Sequence, residues 1–138
     1  MKKIWFPLMA LMTFTLAACG GANNGSNLGS DSKATYQNIS VRELESMFEN
    51  KDFVFVNVHI PFEGDIPDTD LSIPYNEIEQ NLEKLPADKD AKIVLYCRSG
   101  NMSSIAAEAL ADLGYTNVSN LEGGFNSWEK AGLPLEGQ

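Results

Sequence analysis

The chain has 138 residues, of which 43% are hydrophobic, and its formal charge at pH 7 is -9. This length supports one domain with a hydrophobic core and leaves little room for a second. The excess of acidic over basic residues, 19 against 10, argues against nucleic-acid binding, which needs a basic face. Two cysteines, Cys19 and Cys97, are too few for a disulfide-dense miniprotein or a four-cysteine zinc site.

Residues 1–18 have the pattern of an export signal. Lys2 and Lys3 precede an apolar run that is short for a membrane span, which favours a secretory signal. The run ends in Leu-Ala-Ala-Cys at residues 16–19, which resembles a bacterial lipobox. That resemblance implies a lipoprotein signal peptide, cut before Cys19, and a lipid on the Cys19 sulfur. The alternative is an ordinary signal peptide in which Cys19 is incidental.

Residues 19–34 are rich in Gly, Asn and Ser and carry few apolar side chains. Such a segment buries too little surface to offset its ordering entropy, so we expect a flexible tether. The chain would then be anchored to a membrane through Cys19, in the cell envelope and facing away from the cytoplasm. Loss of Lys2 and Lys3 with the signal peptide would change the formal charge from -9 to -11.

From residue 35 to residue 138, short apolar runs alternate with amphipathic segments. The predicted strands are β-branched or aromatic runs at residues 53–58, at residues 93–96 and around Val118. The predicted helices follow the capping box Ser40–Glu43, begin with Asn76 as a cap, cover residues 104–113 up to Gly114, and open at Gly123. This alternation predicts an α/β domain with a mostly parallel central sheet and helices on both faces.

Cys97 directly follows the most strand-like run of the chain and precedes a loop that enters a helix. In parallel α/β sheets this edge is the usual place for a site. The N–H groups of such a loop, together with the helix N-terminus, favour an anion such as a thiolate. We therefore expect Cys97 to be a nucleophile, and the alternative is a buried core cysteine.

Three motifs, in order, resemble the rhodanese family. Residues 97–103, Cys-Arg-Ser-Gly-Asn-Met-Ser, are similar to the family's Cys-Arg-Ser-Gly-Asn-Arg-Ser loop. Residues 113–118 resemble its Leu-Gly-Tyr-x-Asn-Val step, and residues 121–134 resemble its C-terminal Gly-Gly, Trp and Gly-Leu-Pro signature. The resemblance implies that residues 35–138 form one rhodanese domain with a doubly wound fold.

The same resemblance implies a persulfide mechanism. The Cys97 thiolate would take the outer sulfur of a donor such as thiosulfate, release sulfite, and pass the sulfur to a thiol or cyanide. The persulfide would be bound by the loop residues Arg98, Ser99, Gly100, Asn101, Met102 and Ser103. No metal and no organic cofactor is implied. The expected partners are a small sulfur donor and a thiol acceptor, with a protein partner as a further candidate, and the domain is expected to be a monomer.

Three positions depart from the family pattern. Asn57, His59 and Met102 stand where the family commonly has Asp, Arg and Arg. Our hypothesis is that Asn57 and the packing of Met102 replace polar contacts that brace the loop, and that His59 takes a structural place and pairs with Glu63. A metal site of His59 with Asp65 and Asp70 is a weaker alternative.

The loss of a positive loop residue also concerns the donor. Four acidic residues are expected near the mouth of the site: Glu63, Asp65, Asp68 and Asp70. Their charge would repel the thiosulfate dianion and favour a neutral polysulfide or a protein persulfide. Arg98 is the only cationic side chain of the loop, and it either binds donor oxygens, points into solvent or pairs with an acid.

Three rival functions differ in what they need from the sequence. The departures from the family pattern favour a non-catalytic module that carries sulfur or binds a partner. A phosphatase of the Cys-x₅-Arg kind is disfavoured because Ser103 occupies the arginine position, so nothing clamps a phosphate. A dithiol oxidoreductase is disfavoured because the chain has no Cys-x-x-Cys motif.

Overall fold

A computed structural model describes residues 35–138; the predicted signal peptide, Cys19 and the predicted tether lie outside the described residues. Within that range the strands are β1 (Gln37–Ile39), β2 (Val54–Asn57), β3 (Leu71–Ser72), β4 (Ile93–Tyr96) and β5 (Val118–Leu121). They form one parallel sheet in the order β1-β5-β4-β2-β3. Two edge strands, β1 and β3, are two or three residues long, which is too short for a periodic sequence signal.

Helices cover both faces of the sheet, as the sequence predicted. They are α1 (Val41–Phe48), α2 (Asn101–Asp112) and α3 (Gly124–Lys130), and a 3₁₀ segment covers Tyr75–Lys84. The core between the sheet and α2 includes Val56, Leu95 and Leu110. The core on the opposite face, under α1 and α3, includes Phe55, Tyr96 and Trp128. Among residues 35–138, no helix is long and apolar enough to cross a lipid bilayer.

Strand β4 is central, and it positions Cys97. Each of its four residues is buried, as expected for a strand covered on both faces. The register pairs Asn57 of β2 with Tyr96 of β4 and Leu95 of β4 with Asn120 of β5. Cys97, the residue after β4, therefore lies at the C-terminal edge of the sheet, between β2 and β5.

The segment after Pro74 is a 3₁₀ helix, so the predicted α-helix capped by Asn76 is wrong. Its first residue is Tyr75, and no side chain caps its N-terminus. At Asn81 the backbone leaves helical geometry, and the Asn81 Nδ2 donates to the Glu77 carbonyl at 2.8 Å. In an α-helix the Glu77 carbonyl would accept from the backbone N–H of Asn81. Here it accepts from the Asn81 side chain instead. Ile78 and Leu85 of this segment are nevertheless buried in the core on the α2 side of the sheet.

Helix α2 begins at Asn101, three residues before the predicted start. The end of the predicted binding loop is therefore the first turn of this helix, with Gly100 before it at a φ of +93°. Its C-terminus is as predicted. Gly114 has a φ of +92°, and the Tyr115 N–H donates to the Leu110 carbonyl at 3.1 Å. This is the hydrogen bond of a Schellman motif, which commonly ends a helix at a glycine.

The predicted capping box of α1 is confirmed. The Glu43 carboxylate accepts from the Ser40 backbone N–H and from its hydroxyl, both at 2.7 Å, while the Glu43 N–H donates to Ser40 Oγ at 3.3 Å. The hydrogen bond from the Ser40 backbone, aided by its hydroxyl, lowers the pKa of Glu43. A carboxyl whose pKa falls on folding stabilises the fold above its unfolded pKa. This contribution is lost as the pH falls through the lowered pKa of the folded state.

Replacing Ser40 with alanine is expected to raise the pKa of Glu43 part of the way back to its ordinary value. The hydroxyl contact is lost, whereas the Ser40 backbone N–H stays. A carbon-13 NMR titration of the Glu43 carboxyl measures this shift. Ser46→Ala, which removes a contact to the Arg42 carbonyl on the same helix, is the control and should leave the titration unchanged. An unchanged titration in Ser40→Ala would contradict the capping account.

Candidate active site

Cys97 is buried, yet two hydrogen-bond donors are directed at its sulfur. Its relative exposure is 1%, and it packs in the core on the α2 side of the sheet. The Gly100 N–H lies 3.1 Å from Sγ, and the Ser103 hydroxyl lies 3.4 Å from Sγ. An inert core cysteine needs no such donors, whereas a thiolate or a persulfide anion is stabilised by them.

The loop between Cys97 and α2 makes a tight turn that directs the Gly100 N–H at the sulfur. Gly100 makes the turn with a φ of +93°, a conformation that side-chain-bearing residues rarely adopt. The first turn of α2 follows at once, and its N–H groups have no acceptor within the helix. Ser103 lies in that turn and is fully buried. The loop and the first turn of α2 thus each direct one donor at Sγ, the Gly100 N–H and the Ser103 hydroxyl.

Two backbone N–H groups at the start of α3 donate hydrogen bonds to carbonyl groups of this loop. The Phe125 N–H donates to the Cys97 carbonyl at 2.9 Å, and the Asn126 N–H donates to the Arg98 carbonyl at 3.0 Å. The C=O and N–H of a trans peptide point in opposite directions. The N–H groups of Arg98 and Ser99 therefore point away from the start of α3.

Gly124 is the residue that lets α3 come so close. A Cβ built there would lie 2.0 Å from the Cys97 carbonyl oxygen, so no other residue fits without displacement. Its φ of +55° is also in the left-handed region. Gly124 thus allows the start of α3 to dock against the loop of Cys97.

Comparison with known proteins agrees with this geometry. The family model of the rhodanese-like domain matches residues 40–131. This chain belongs to the rhodanese-like domain family. A sulfurtransferase of Allochromatium vinosum is 36% identical over 104 residues, which are 69% of this chain and 94% of that protein. A solved rhodanese-related protein from Thermoplasma volcanium is 31% identical with a TM-score of 0.61, and the match covers 72% of this chain and 97% of that one.

The rhodanese-like domain also matches part of a longer protein. The tRNA uridine(34) hydroxylase of Erwinia tasmaniensis is 30% identical over 107 residues, which are 70% of this chain and 31% of that protein. The family model and the sulfurtransferase relative together support sulfur transfer as the general function of this domain.

Asn57, one of the departures from the family pattern, is a fully buried hydrogen-bonding residue. Its Nδ2 donates to the Gly64 carbonyl at 3.0 Å and to Asp65 Oδ1 at 2.8 Å, and its Oδ1 accepts from the His59 N–H at 2.9 Å. These contacts brace the loop after β2, next to the loop of Cys97. Met102 is half-buried and packs on the α2-side core, as our hypothesis requires.

Sequence reasoning did not single out Tyr96, which connects the same loop to β4. Its hydroxyl accepts from the Ile66 N–H at 3.0 Å, contacts Thr69 Oγ1 at 2.7 Å and donates to Asp65 Oδ1 at 3.1 Å. Burial raises the pKa of Tyr96 well above its usual range, so it stays a neutral donor. In the sequence Tyr96 is simply the last residue of an apolar strand, and no local pattern distinguishes it.

His59, Glu63 and Arg98 form a chain of contacts beside the loop. His59 Nε2 and Glu63 Oε2 are 2.8 Å apart, as predicted, and the Arg98 guanidinium lies 3.3 Å from Glu63 Oε1. Arg98 thus pairs with an acid, which is one of the interpretations that the sequence left open. Because a carboxylate only accepts, the His59 Nε2 carries the proton, and the buried Nδ1 has no partner.

The other acidic residues of this loop are not all near Cys97. Asp70 accepts from the Phe55 N–H, near the start of β2, and pairs with Lys51. Its predicted place near the mouth is wrong, because β3 begins at the next residue and pairs in parallel with β2, which sets Asp70 beside Phe55 and away from the C-terminal edge of the sheet. Among the described residues no three metal-ligating side chains come together, so the alternative metal site with His59 and Asp65 is wrong as well.

Proposed function

We propose that this rhodanese domain transfers sulfane sulfur through a persulfide on Cys97. The observation that carries the proposal is the pair of donors, the Gly100 N–H and the Ser103 hydroxyl, directed at a single buried sulfur. Donors placed in advance around a site of developing negative charge lower the barrier for reactions that form it. Loop residues 98–103 would surround the terminal sulfur of the persulfide.

The reaction runs in two displacements. The Cys97 thiolate attacks the sulfane sulfur of the donor; a new S–S bond forms, and the donor's S–S bond breaks. The leaving group, sulfite from thiosulfate or a thiolate from a small persulfide, takes the electron pair. An acceptor thiolate or cyanide then attacks the terminal sulfur, and the Cys97 thiolate is released. No net oxidation occurs, so no redox cofactor takes part in these steps.

The charges around the loop favour a donor with less charge than thiosulfate. Arg98 is the cation of the loop, and Glu63 neutralises it at 3.3 Å. The formal charge of the whole chain, -9, also slows the encounter with a dianion. The proposed physiological donor is a neutral polysulfide or the persulfide of a partner protein.

Steady-state sulfur transfer tests the choice of donor. The persulfide of 2-mercaptoethanol, which carries at most one negative charge, is compared with thiosulfate, with cyanide as the acceptor. We expect a kcat/KM at least about tenfold higher for the persulfide at low salt, with the gap narrowing as salt screens the repulsion. Equal values at all ionic strengths would contradict the charge argument but leave sulfur transfer itself in place.

Replacing Glu63 with glutamine is expected to raise the kcat/KM for thiosulfate about threefold to tenfold at low salt. The change frees the Arg98 guanidinium from its acid and removes one negative charge beside the loop. Glu129→Gln is the matched control, since Glu129 lines the same pocket as Arg98 and Glu63 and changes the charge equally. An equal gain in both variants would mean that net charge, and not the release of Arg98, sets the rate.

A non-catalytic sulfur-carrying or partner-binding module is the second candidate. The 1% exposure of Cys97 favours it, because a sulfur at that depth is hard for an acceptor to reach. A carrier would accept one sulfur and keep it in the presence of thiol or cyanide. Turnover with any pair of donor and acceptor decides for the enzyme.

The proposal places the domain at a membrane, anchored by a lipid on Cys19 and facing away from the cytoplasm. Its support is the lipobox-like sequence at residues 16–19 and the polar segment that follows. In a bacterial host, the full-length chain should fractionate with membranes and enter the detergent phase. Cys19→Ser should move nearly all of it to the soluble fraction, because the lipid is the proposed attachment. Unchanged membrane association of the serine variant would contradict lipid anchoring.

A further inference from the structure

The C-terminal segment, residues 133–138, forms an antiparallel bridge with the loop after β2. The Asp65 N–H donates to the Glu136 carbonyl at 2.8 Å, and the Glu136 N–H donates to the Asp65 carbonyl at 2.7 Å. This reciprocal pair of hydrogen bonds lies outside the parallel sheet and joins two stretches that are distant in the chain. The proposed chemistry at Cys97 gives it no role.

The C-terminal segment also packs against the residues on both sides of Glu63. Gly64 has a φ of +121°, and a Cβ built there would lie 2.9 Å from Gln138 Cγ. A Cβ built on Gly137 would lie 3.6 Å from the Phe62 ring. Together with the bridge, these contacts hold the backbone before and after Glu63.

The C-terminal segment is fixed by α3 and by the core as well as by the bridge. The Trp128 indole N–H donates to the Pro134 carbonyl at 2.8 Å. Leu133 and Leu135 pack against the core under α1 and α3. Since these contacts all precede Glu136, the segment has anchors of its own and can restrain the loop that it touches.

One continuous stretch of chain therefore contacts the two loops that carry Arg98 and Glu63. At the start of α3, the Asn126 N–H donates to the Arg98 carbonyl at 3.0 Å. At its far end, the C-terminal segment contacts the neighbours of Glu63. The Arg98 and Glu63 side chains are 57% and 37% exposed, and 3.3 Å separates their charged atoms. An ion pair this exposed is weak by itself, so it depends on how firmly the two loops are held.

We infer that the C-terminal segment is a positioning element that holds Glu63 beside Arg98 and so keeps the cation of the Cys97 loop neutralised. The inference rests on the proposed function, because it concerns which donor the Cys97 site accepts. With the segment in place, the thiosulfate dianion meets an arginine that is already paired. Without it, Glu63 moves more freely, and Arg98 is available to the dianion for part of the time.

A chain truncated after Leu135 tests the inference by steady-state sulfur transfer. It lacks residues 136–138, which contact the loop after β2, and keeps the anchors to Trp128 and to the core. We expect kcat/KM for thiosulfate at low salt to rise about threefold. The value for the persulfide of 2-mercaptoethanol should change by less than about twofold, because this donor carries less charge. An unchanged value for thiosulfate would overturn the inference.

Glu136→Gln is the matched control for charge. It removes the same carboxylate as the truncation but keeps the backbone groups of the bridge. It should leave kcat/KM for both donors within about 1.5-fold, because an exposed charge contributes little. An equal gain for thiosulfate in Glu136→Gln and in the truncated chain would show that charge, and not position, sets the rate.

Combining the truncation with Glu63→Gln separates positioning of Glu63 from a general loosening of the site. If the C-terminal segment acts through Glu63, the truncation should add nothing to the gain that Glu63→Gln gives alone. A full further gain in the double variant would overturn the inference.

Nitrogen-15 relaxation of the truncated chain keeps the test independent of sulfur transfer. The order parameter of the Glu63 amide should fall from about 0.85 to below about 0.6, the change from a rigid to a flexible backbone. The Arg98 amide should stay rigid, because α3 still holds its loop. An unchanged order parameter at Glu63 would overturn the inference. A fall in a chain that transfers sulfur from no donor would support the positioning role and refute the proposed function instead.

Discussion

Replacing Cys97 with serine is expected to abolish sulfur transfer, lowering kcat/KM at least about a thousandfold, to the uncatalysed background. A serine oxygen cannot form the S–S bond that holds the sulfur between the two displacements. The fold should survive, because a hydroxyl at this buried position can still accept from the Gly100 N–H. The measurement is thiocyanate formation from the persulfide of 2-mercaptoethanol and cyanide, together with urea unfolding of the variant.

Cys19 is the control for that experiment, since it is the only other cysteine of the chain. Cys19→Ser should have the same turnover as the wild-type protein when both are assayed in detergent. Residual turnover in Cys97→Ser that disappears in the double variant would show that sulfur passes through Cys19. That result would contradict the placement of the active site at the end of β4.

Replacing Gly124 with alanine is expected to lower the free energy of unfolding by roughly 4 kcal/mol, the sum of left-handed strain and overpacking. The new Cβ would lie 2.0 Å from the Cys97 carbonyl oxygen and 2.7 Å from the Arg98 carbonyl. Helix α3 must therefore move away, and the hydrogen bonds from Phe125 and Asn126 to the loop must stretch or break. Urea unfolding measures the loss, and sulfur transfer by the fraction still folded should fall as well.

Gly114→Ala is the matched control, because it separates backbone strain from the close approach. Gly114 also has a positive φ, of +92°, but a Cβ there would meet nothing within 4 Å. Its replacement should cost only about 1–2 kcal/mol and leave the rate of sulfur transfer unchanged. Equal losses in the two variants would show that Gly124 has no special role in holding the loop.

The parts of the fold that the sequence predicted well are those in which local pattern and burial agree. Residues 93–96 form β4 as predicted, because an apolar run of this length suits a strand covered on both faces. The capping box of α1 and the glycine at the end of α2 are specified by a few neighbouring residues. The Tyr75–Lys84 segment has the same apolar spacing as an α-helix, but the Asn81 side chain competes for its backbone acceptors.

Of the candidate site, the sequence predicted only those features that depend on neighbouring residues. The position of Cys97 and its glycine-containing loop follow from adjacent residues, and two donors, the Gly100 N–H and the Ser103 hydroxyl, are directed at the sulfur. The contacts that hold the loop come from residues distant in sequence. Tyr96 contacts Ile66, and the Phe125 N–H reaches the Cys97 carbonyl only when α3 docks.

Intact-mass spectrometry of the full-length chain tests the central claim most directly. After incubation with the persulfide of 2-mercaptoethanol and removal of excess donor, the chain should gain the mass of one sulfur atom. Fragmentation should place that atom on Cys97, and addition of a thiol or cyanide should remove it. The absence of an adduct with this donor, with thiosulfate and with polysulfide, or an adduct that no acceptor removes, would contradict catalysis of sulfur transfer through Cys97.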